Sequence, residues 1–285
     1  MQRERVADDI YVFTSELYAQ VTAGAVITSE GAILIDTLVF PEEARAIKHF
    51  LENRLNCPVR YIINTHYHAD HTYGTCFFED ALVVSHALCY EMLATRGKDG
   101  LYQAQQSAPE LRDVQMVLPH MVFDTGTLTV HLGNKSVELW HSPGHSPDSI
   151  VCLVKEDRVL FAADTLMPIP YFVDGNYDDF VASLHALRNG GYENVVQGHG
   201  EVVLRGEVEE KIQSDLEYLA IIRQHVERTL QRQKPISELD GISIESCGKS
   251  RIPLNGLVQE LHRANLHALY HLLQVQRDGV GAISA

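Results

Sequence analysis

Thr65-His66-Tyr67-His68-Ala69-Asp70-His71 is the stretch whose reading decides the fold. Three imidazoles and a carboxylate fall between positions 66 and 71. They follow Val59-Arg60-Tyr61-Ile62-Ile63-Asn64, a β-branched, apolar run that reads as a buried strand. Gly74 comes shortly after. The cluster therefore sits on a loop leaving a core strand, where α/β proteins collect their active sites. In an extended segment His66 and His68 project to the same side, while Asp70 and His71 lie beyond and reach a second point. Such geometry suits two adjacent metal ions. A lone histidine at a strand end is ordinarily a polar surface residue; four donors this close together are better explained by ligand chemistry.

Three later segments add donors. They are Ser142-Pro143-Gly144-His145-Ser146-Pro147-Asp148-Ser149, Val159-Leu160-Phe161-Ala162-Ala163-Asp164-Thr165-Leu166 and Val195-Val196-Gln197-Gly198-His199-Gly200. With the first stretch, in this order and rough spacing, they resemble the metallo-β-lactamase-fold hydrolases from about residue 10 to about residue 230. The resemblance implies an α/β protein, an αββα four-layer sandwich. It implies that His66, His68 and His145 hold one metal, that Asp70, His71 and His199 hold a second, and that Asp164 bridges both. Asp36 matches the family's first motif aspartate, which supports the metal loop from outside. That role is physically reasonable, because ligating histidines usually donate their other N–H to a carboxylate or carbonyl.

Imidazole and carboxylate donors suit Zn²⁺, Mn²⁺ or Fe, and no cysteine stands in a ligand motif. Two divalent ions, Zn²⁺ by default, would activate a water to attack a carbonyl. Asp70 is the candidate catalytic residue, orienting that water and taking a proton. Ser142, Ser146 and Ser149 read as loop-forming residues rather than a triad.

At 285 residues the chain can bury a large core. We expect a catalytic domain over 1–230 and a helical extension over 231–285 packed on the same unit. The net charge of −15 disfavours nucleic acid, which calls for basic surface. No apolar run approaches ~20 residues, so no membrane span is expected. The N-terminus lacks the apolar core of a signal peptide, and the five cysteines (Cys57, Cys76, Cys89, Cys152, Cys247) form no CxxC pair. Reduced thiols in a cytoplasmic protein are the expectation.

Along the chain, 10–14, 25–28 and 32–37 read as strands, the last a continuous apolar run ending near Asp36 that suits a sheet covered on both faces. Tyr18, between the first two, is a candidate substrate contact in the resembled fold, though an ordinary half-buried tyrosine fits equally. Residues 41–55 read as a helix with Pro41 in its first turn. Residues 86–120 read as an inserted, mostly helical segment broken at Gly97 and Gly100. It flanks the active-site side, with His86 and His120 as surface or capping residues. Strands at 128–132 and 136–140 flank a Gly133-Asn134-Lys135 turn. Helices follow at 178–187, 207–233 and 253–274. Met167, Tyr171 and Phe172 follow Asp164 and are candidates for an apolar pocket. In the last helix Leu254, Leu257, Val258, Leu261, Ala268, Leu269 and Leu272 share a face. That stripe is expected to dock on Ile212, Leu216, Leu219, Ile222 and Val226 beside the active-site rim, rather than to meet its twin in a homodimer. His267 and His271 read as a solvated face without nearby carboxylates.

The leading expectation is a dinuclear hydrolase of a small ester, lactone, thioester or lactam. A bridging Asp164 beside His71 argues against the lactamase subclass that uses a cysteine ligand. Lys249 and Arg251 do not form a convincing glutathione motif. The alternatives are a mononuclear iron dioxygenase acting on a thiol or persulfide, a β-lactamase or phosphodiesterase of the same fold, and a non-catalytic metal-binding protein.

Overall fold

Strand periodicity distributes the apolar residues between layers. Ile33 and Ile35 point the same way, into a layer with Val12, Val26 and Ile63 that meets Val137, Leu139, Ile150, Cys152 and Phe161. Leu34 points the other way, onto Ile47 and Leu51. Both faces are thus covered, which is why the segment is apolar without alternation.

The computed structural model describes residues 1–283. One sheet holds β1 (Gln2–Ala7), β2 (Ile10–Thr14), β3 (Thr22–Thr28), β4 (Gly31–Ile35), β5 (Val59–Ile63), β6 (Leu82–His86) and β7 (Met121–Phe123), side by side in chain order. Its first four strands pair antiparallel and the rest parallel. The other sheet holds β8 (Thr127–Leu132), β9 (Lys135–His141), β10 (Ile150–Val154), β11 (Val159–Ala163), β12 (Asn194–Gln197) and β13 (Val203–Leu204), in the reverse order β13 to β8. Here only β11 and β12 are parallel.

The helices are α1 (Pro41–Lys48), the single-turn α2 (Ala69–Thr72), α3 (Ala87–Met92), α4 (Lys98–Ser107), α5 (Tyr177–Leu187), α6 (Val208–Gln231) and α7 (Val258–Ile283). On the outer face of the first sheet lies α1, through Ala44 and Ile47. On the outer face of the second, Val151, Leu160 and Val195 join Phe180 and Leu184 of α5, Ile212, Leu219 and Ile222 of α6, and Leu269 of α7. The result is the four-layer αββα sandwich. Among the described residues no helix is long and apolar enough to cross a membrane.

Several elements depart from expectation. Gly97 and Gly100 do not break the inserted segment: a wide π turn, Leu93–Gly97, joins α3 directly to α4. A mid-helix glycine costs only about 1 kcal/mol against alanine, and Leu93 and Leu101 anchor the segment through burial. His86 caps α3 by accepting the Leu88 N–H, and the exposed His120 accepts the Val83 N–H at 3.0 Å. The last helix starts later and runs on further than residues 253–274. Pro253–Gly256 is a tight turn in which Leu254 and Asn255 take left-handed φ of 53° and 55°. Beyond it the apolar stripe docks on α6 as expected, with Val258 and Leu269 fully buried. His267 does have a carboxylate neighbour, Asp240, at 2.8 Å. The edge strand β1 had no apolar pattern to announce it; the ladder with β2 holds it. All five cysteines are free.

Candidate metal centre

Each candidate ligand leaves the same end of the sandwich. His66 and His68 follow β5, Asp70 and His71 form the turn α2, His145 lies between β9 and β10, Asp164 follows β11, and His199 follows β12. Asp36 and Ala163, flanking this region, take positive φ of 57° and 44°. Such conformations cost non-glycine residues energy and collect at functional sites. A Cβ on Gly198 would lie 1.8 Å from Asp164 Oδ1, and Gly200 takes φ +87°, so the loop before and after His199 needs glycine on both counts.

The seven side chains converge. His68 Nδ1 is 3.0 Å from His66 Nε2 and 2.9 Å from His145 Nε2. His199 Nε2 is 3.4 Å from Asp70 Oδ2 and 3.5 Å from Asp164 Oδ2, which is itself 3.2 Å from His145 Nε2. Three triads each bring their donor atoms within 4.8 Å of one another: His66, His68 and His145; His66, His71 and Asp164; Asp70, His71 and His199. The first and third triads bring together residues that the resemblance grouped, the second crosses between them, and Asp164 lies near donors of both.

Each imidazole is fixed from behind. His66 Nδ1 donates to Thr65 Oγ1, whose hydroxyl donates to Asp36 Oδ2 at 2.7 Å. His71 Nδ1 donates to Asp36 Oδ2 at 2.8 Å, so Asp36 holds the loop from outside as expected. His145 Nδ1 donates to the Tyr171 carbonyl at 2.7 Å, and His199 Nδ1 to that of Ala19 at 2.8 Å. His68 is reversed: its Nε2 meets Asp174 Oδ2 at 3.2 Å, leaving Nδ1 inward. Outer partners of this kind set the tautomer and aim the free lone pair.

Charge in the cluster fits cation binding. Burial holds His66 well below the usual imidazole range and takes His145 down to about 4, so both rings are neutral donors. Burial also works against charge on His71 and His199. There Asp164 and Asp70 outweigh it, raising His71 well above its ordinary value and His199 to about 10. Asp70 and Asp164 are correspondingly held low by these imidazoles, despite their burial. Protons thus stand where cations would balance the carboxylates. His71 Nε2 lies 3.3 Å from Asp164 Oδ1 without hydrogen-bond geometry, and both atoms are buried with no partner. Two carboxylates, five correctly presented imidazole nitrogens and two orphaned polar atoms fit a pair of divalent ions.

The site floors a cavity of about 270 Å³. Its walls are Tyr18, Met167, Tyr171 and, from the tail, Leu254, Leu257 and Leu261. Phe172 is not among them: it is buried in the core, edge-on against Tyr177. The serines near His145 bond within the loops, Ser142 to Thr165 and Ser146 to Asp148. Lys249 is buried on Asp215 and Arg251 pairs with Glu245, so neither faces the cavity. Sequence reasoning missed Asp174, which also accepts from Tyr67 and from Arg96 of the inserted segment. A single carboxylate in an irregular loop carries no periodic signal, so no pattern in the sequence marks it.

Residues 19–203 match the family model of the metallo-beta-lactamase superfamily, and the chain belongs to that superfamily. Among curated proteins it is 24% identical over 215 residues to a beta-lactamase-like protein 2 homolog of Caenorhabditis elegans, covering 75% of this chain and 66% of that one. It is 27% identical over 160 residues to an acyl-coenzyme A thioesterase of Bos taurus, covering 50% and 57%. The chain spans less than two thirds of the length of these relatives. Among solved structures, the inverting sec-alkylsulfatase Pisa1 of a Pseudomonas species superimposes with a TM-score of 0.74 at 16% identity, over 94% of this chain and 49% of that one. A metallo-beta-lactamase from Pontibacter korlensis does so with a TM-score of 0.59 at 20% identity, over 74% and 98%. Two further relatives, of Aspergillus terreus and Emericella nidulans, at 24% and 23% identity, are likewise named thioesterases.

Proposed function

We propose that the protein is a dinuclear metal-dependent hydrolase of a thioester, or of the ester or lactone of the same acid, carrying a small apolar acyl group. The observation that carries this reading is the convergence of five imidazoles and two carboxylates, of which His68, His145, His199, Asp70 and Asp164 line a cavity with apolar walls. Several relatives are named thioesterases, which supports the choice of leaving group. His66, His68 and His145 would hold one ion, Asp70, His71 and His199 the other, with Asp164 between. Two bound divalent ions supply a water of lowered pKa and an electrophile for the carbonyl oxygen.

The chain's own residues supply the rest. Asp70 lines the cavity as a carboxylate, placed to orient the attacking water and carry its proton to the departing thiolate or alkoxide. Tyr18 lines the cavity as a neutral phenol, its pKa raised further by the Asp70 charge, and can donate a hydrogen bond to substrate. Met167, Leu254, Leu257 and Leu261 exclude water from the acyl group. Small-molecule substrate and Zn²⁺ are the partners this reading calls for; Fe or Mn would suit the same donors.

The test is a panel of thioesters, esters, lactones, lactams and phosphodiesters, with zinc-, iron- and manganese-reconstituted protein. Thioesters or esters with short apolar acyl chains are expected to turn over best, and activity is expected to vanish on chelation. Turnover of lactams or phosphodiesters alone would overturn the reading. Oxygen consumption with a persulfide by iron-only protein would replace it with the dioxygenase.

A further inference from the structure

Two of the three imidazoles grouped around the first metal position take their outer hydrogen bonds from one short strap, residues 170–174. The Tyr171 carbonyl accepts from His145 Nδ1, and Asp174 Oδ2 meets His68 Nε2. The strap has no regular secondary structure. Its clamp comes from the tail: Asn265 of α7, fully buried, donates from Nδ2 to the Pro170 carbonyl at 2.6 Å and accepts the Phe172 N–H at 3.3 Å. Those two bonds flank Tyr171 on either side.

Asn265 is itself fixed. Its second Nδ2 proton goes to the Tyr218 hydroxyl at 3.3 Å. That hydroxyl donates to His262 Nδ1 at 3.0 Å, and His262 Nε2 donates to the Ile242 carbonyl at 3.1 Å. Every donor in the chain meets an acceptor in one consistent direction. The polarity requires Nδ2, not Oδ1, to face Pro170. A buried network satisfied throughout locks one geometry, since each alternative leaves a buried group unpaired.

We infer that Asn265 is a positioning residue for the first metal site: through the strap it fixes the Tyr171 carbonyl, and so the tautomer and aim of His145. The tail then belongs to the metal centre as well as to the pocket wall. This rests on the dinuclear reading above, but adds a residue that touches neither metal nor substrate.

Asn265→Leu keeps the branching of the side chain and removes both strap bonds together with the bond to Tyr218. Leu269→Ala, on the same helix and equally buried, is the comparison for loss of stability alone. The measurements are zinc affinity by chelator competition, the visible spectrum of cobalt-substituted protein, and the melting temperature. Both variants are expected to lower the melting temperature. N265L alone is expected to weaken zinc binding at the site of His66, His68 and His145 on the order of 10-fold or more and to shift the cobalt bands. L269A should leave both within twofold of wild type. If N265L does not fold, N265D serves: it keeps the acceptor for Phe172 but sets an acceptor against the Pro170 carbonyl, and the same loss is expected. Wild-type zinc affinity and cobalt spectrum in the folded variant, or an equal loss in L269A, would overturn the inference. Failure of the wild-type protein to bind zinc at all would instead overturn the dinuclear reading.

Discussion

Asp36→Asn removes one charge and no volume at a residue 3% exposed, and its consequence follows from hydrogen-bond polarity. Oδ1 accepts the Thr65 N–H at 2.8 Å; Oδ2 accepts both the Thr65 hydroxyl and His71 Nδ1. An amide can satisfy only one side. With its oxygen toward Thr65 N, the NH₂ faces His71 Nδ1 and drives the proton to Nε2, where it points into the metal site. With its oxygen toward His71, the NH₂ opposes a buried backbone N–H and leaves it unpaired, at a cost of about 1–3 kcal/mol. Metal binding selects the second arrangement, so that cost appears in affinity as roughly 5- to 150-fold. Metal-free stability changes less, because burial of the native carboxylate already opposes its charge and raises its pKa. Titration of D36N with zinc, beside urea unfolding in chelator, separates the two effects. Wild-type affinity for both ions would refute the reasoning.

Other expectations follow from the same geometry. Asp164→Ala should lose the second ion and most of kcat, since one carboxylate approaches donors of both halves, whereas Ser142→Ala should do far less; equal damage in metal analysis and kinetics would mean the bridge is misassigned. Truncation after Ile252 uncovers part of the α6 face that includes the fully buried Ile222 and Val226, and removes the leucine wall; at ~1.5–3 kcal/mol per exposed large side chain the melting temperature should fall sharply. An unchanged melting temperature and substrate profile would contradict the docking. His199 carries a pKa raised from 6.5 to about 10 in the metal-free protein, so its stabilising contribution is whole below 6.5 and disappears as pH rises to 10. Chelated protein should therefore lose stability across that window while zinc binds more tightly over it; parallel pH curves for both forms would contradict this.

Much of the fold was legible because strand and helix periods were clean. Val59 to Ile63 reads as a buried strand, Gly133-Asn134-Lys135 as a hairpin turn and the stripe from Leu254 to Leu272 as a docked helix face, and the structure has the strand, the hairpin and the docked face. The donors at 66–71 were legible because three imidazoles and a carboxylate crowd one loop after an apolar strand; His145, Asp164 and His199 were legible only through the resemblance to the metallo-β-lactamase fold. The outer ring was legible only where a motif supplied it, at Asp36. Thr65 stands in the motif, but its hydroxyl relay from His66 to Asp36 depends on a rotamer. The carbonyls of Ala19 and Tyr171 are backbone groups, which any residue could provide, so no letter of the sequence marks them. Asn265 sits in an amphipathic helix where an inward polar residue looks like an interruption of the stripe; only the strap it meets explains it. Met167, Tyr171 and Phe172 suit pocket or core equally by residue type, and the structure divides them, Met167 and Tyr171 to the cavity and Phe172 to the core.

The central claim is two ions held by these seven side chains. Its most direct measurement is the metal content of the purified protein after zinc reconstitution and removal of excess, in the wild type and in a variant lacking His71 and His199. The account predicts about two ions per chain in the wild type and about one in the variant. Fewer than about one ion per wild-type chain, or no loss in the variant, would contradict it.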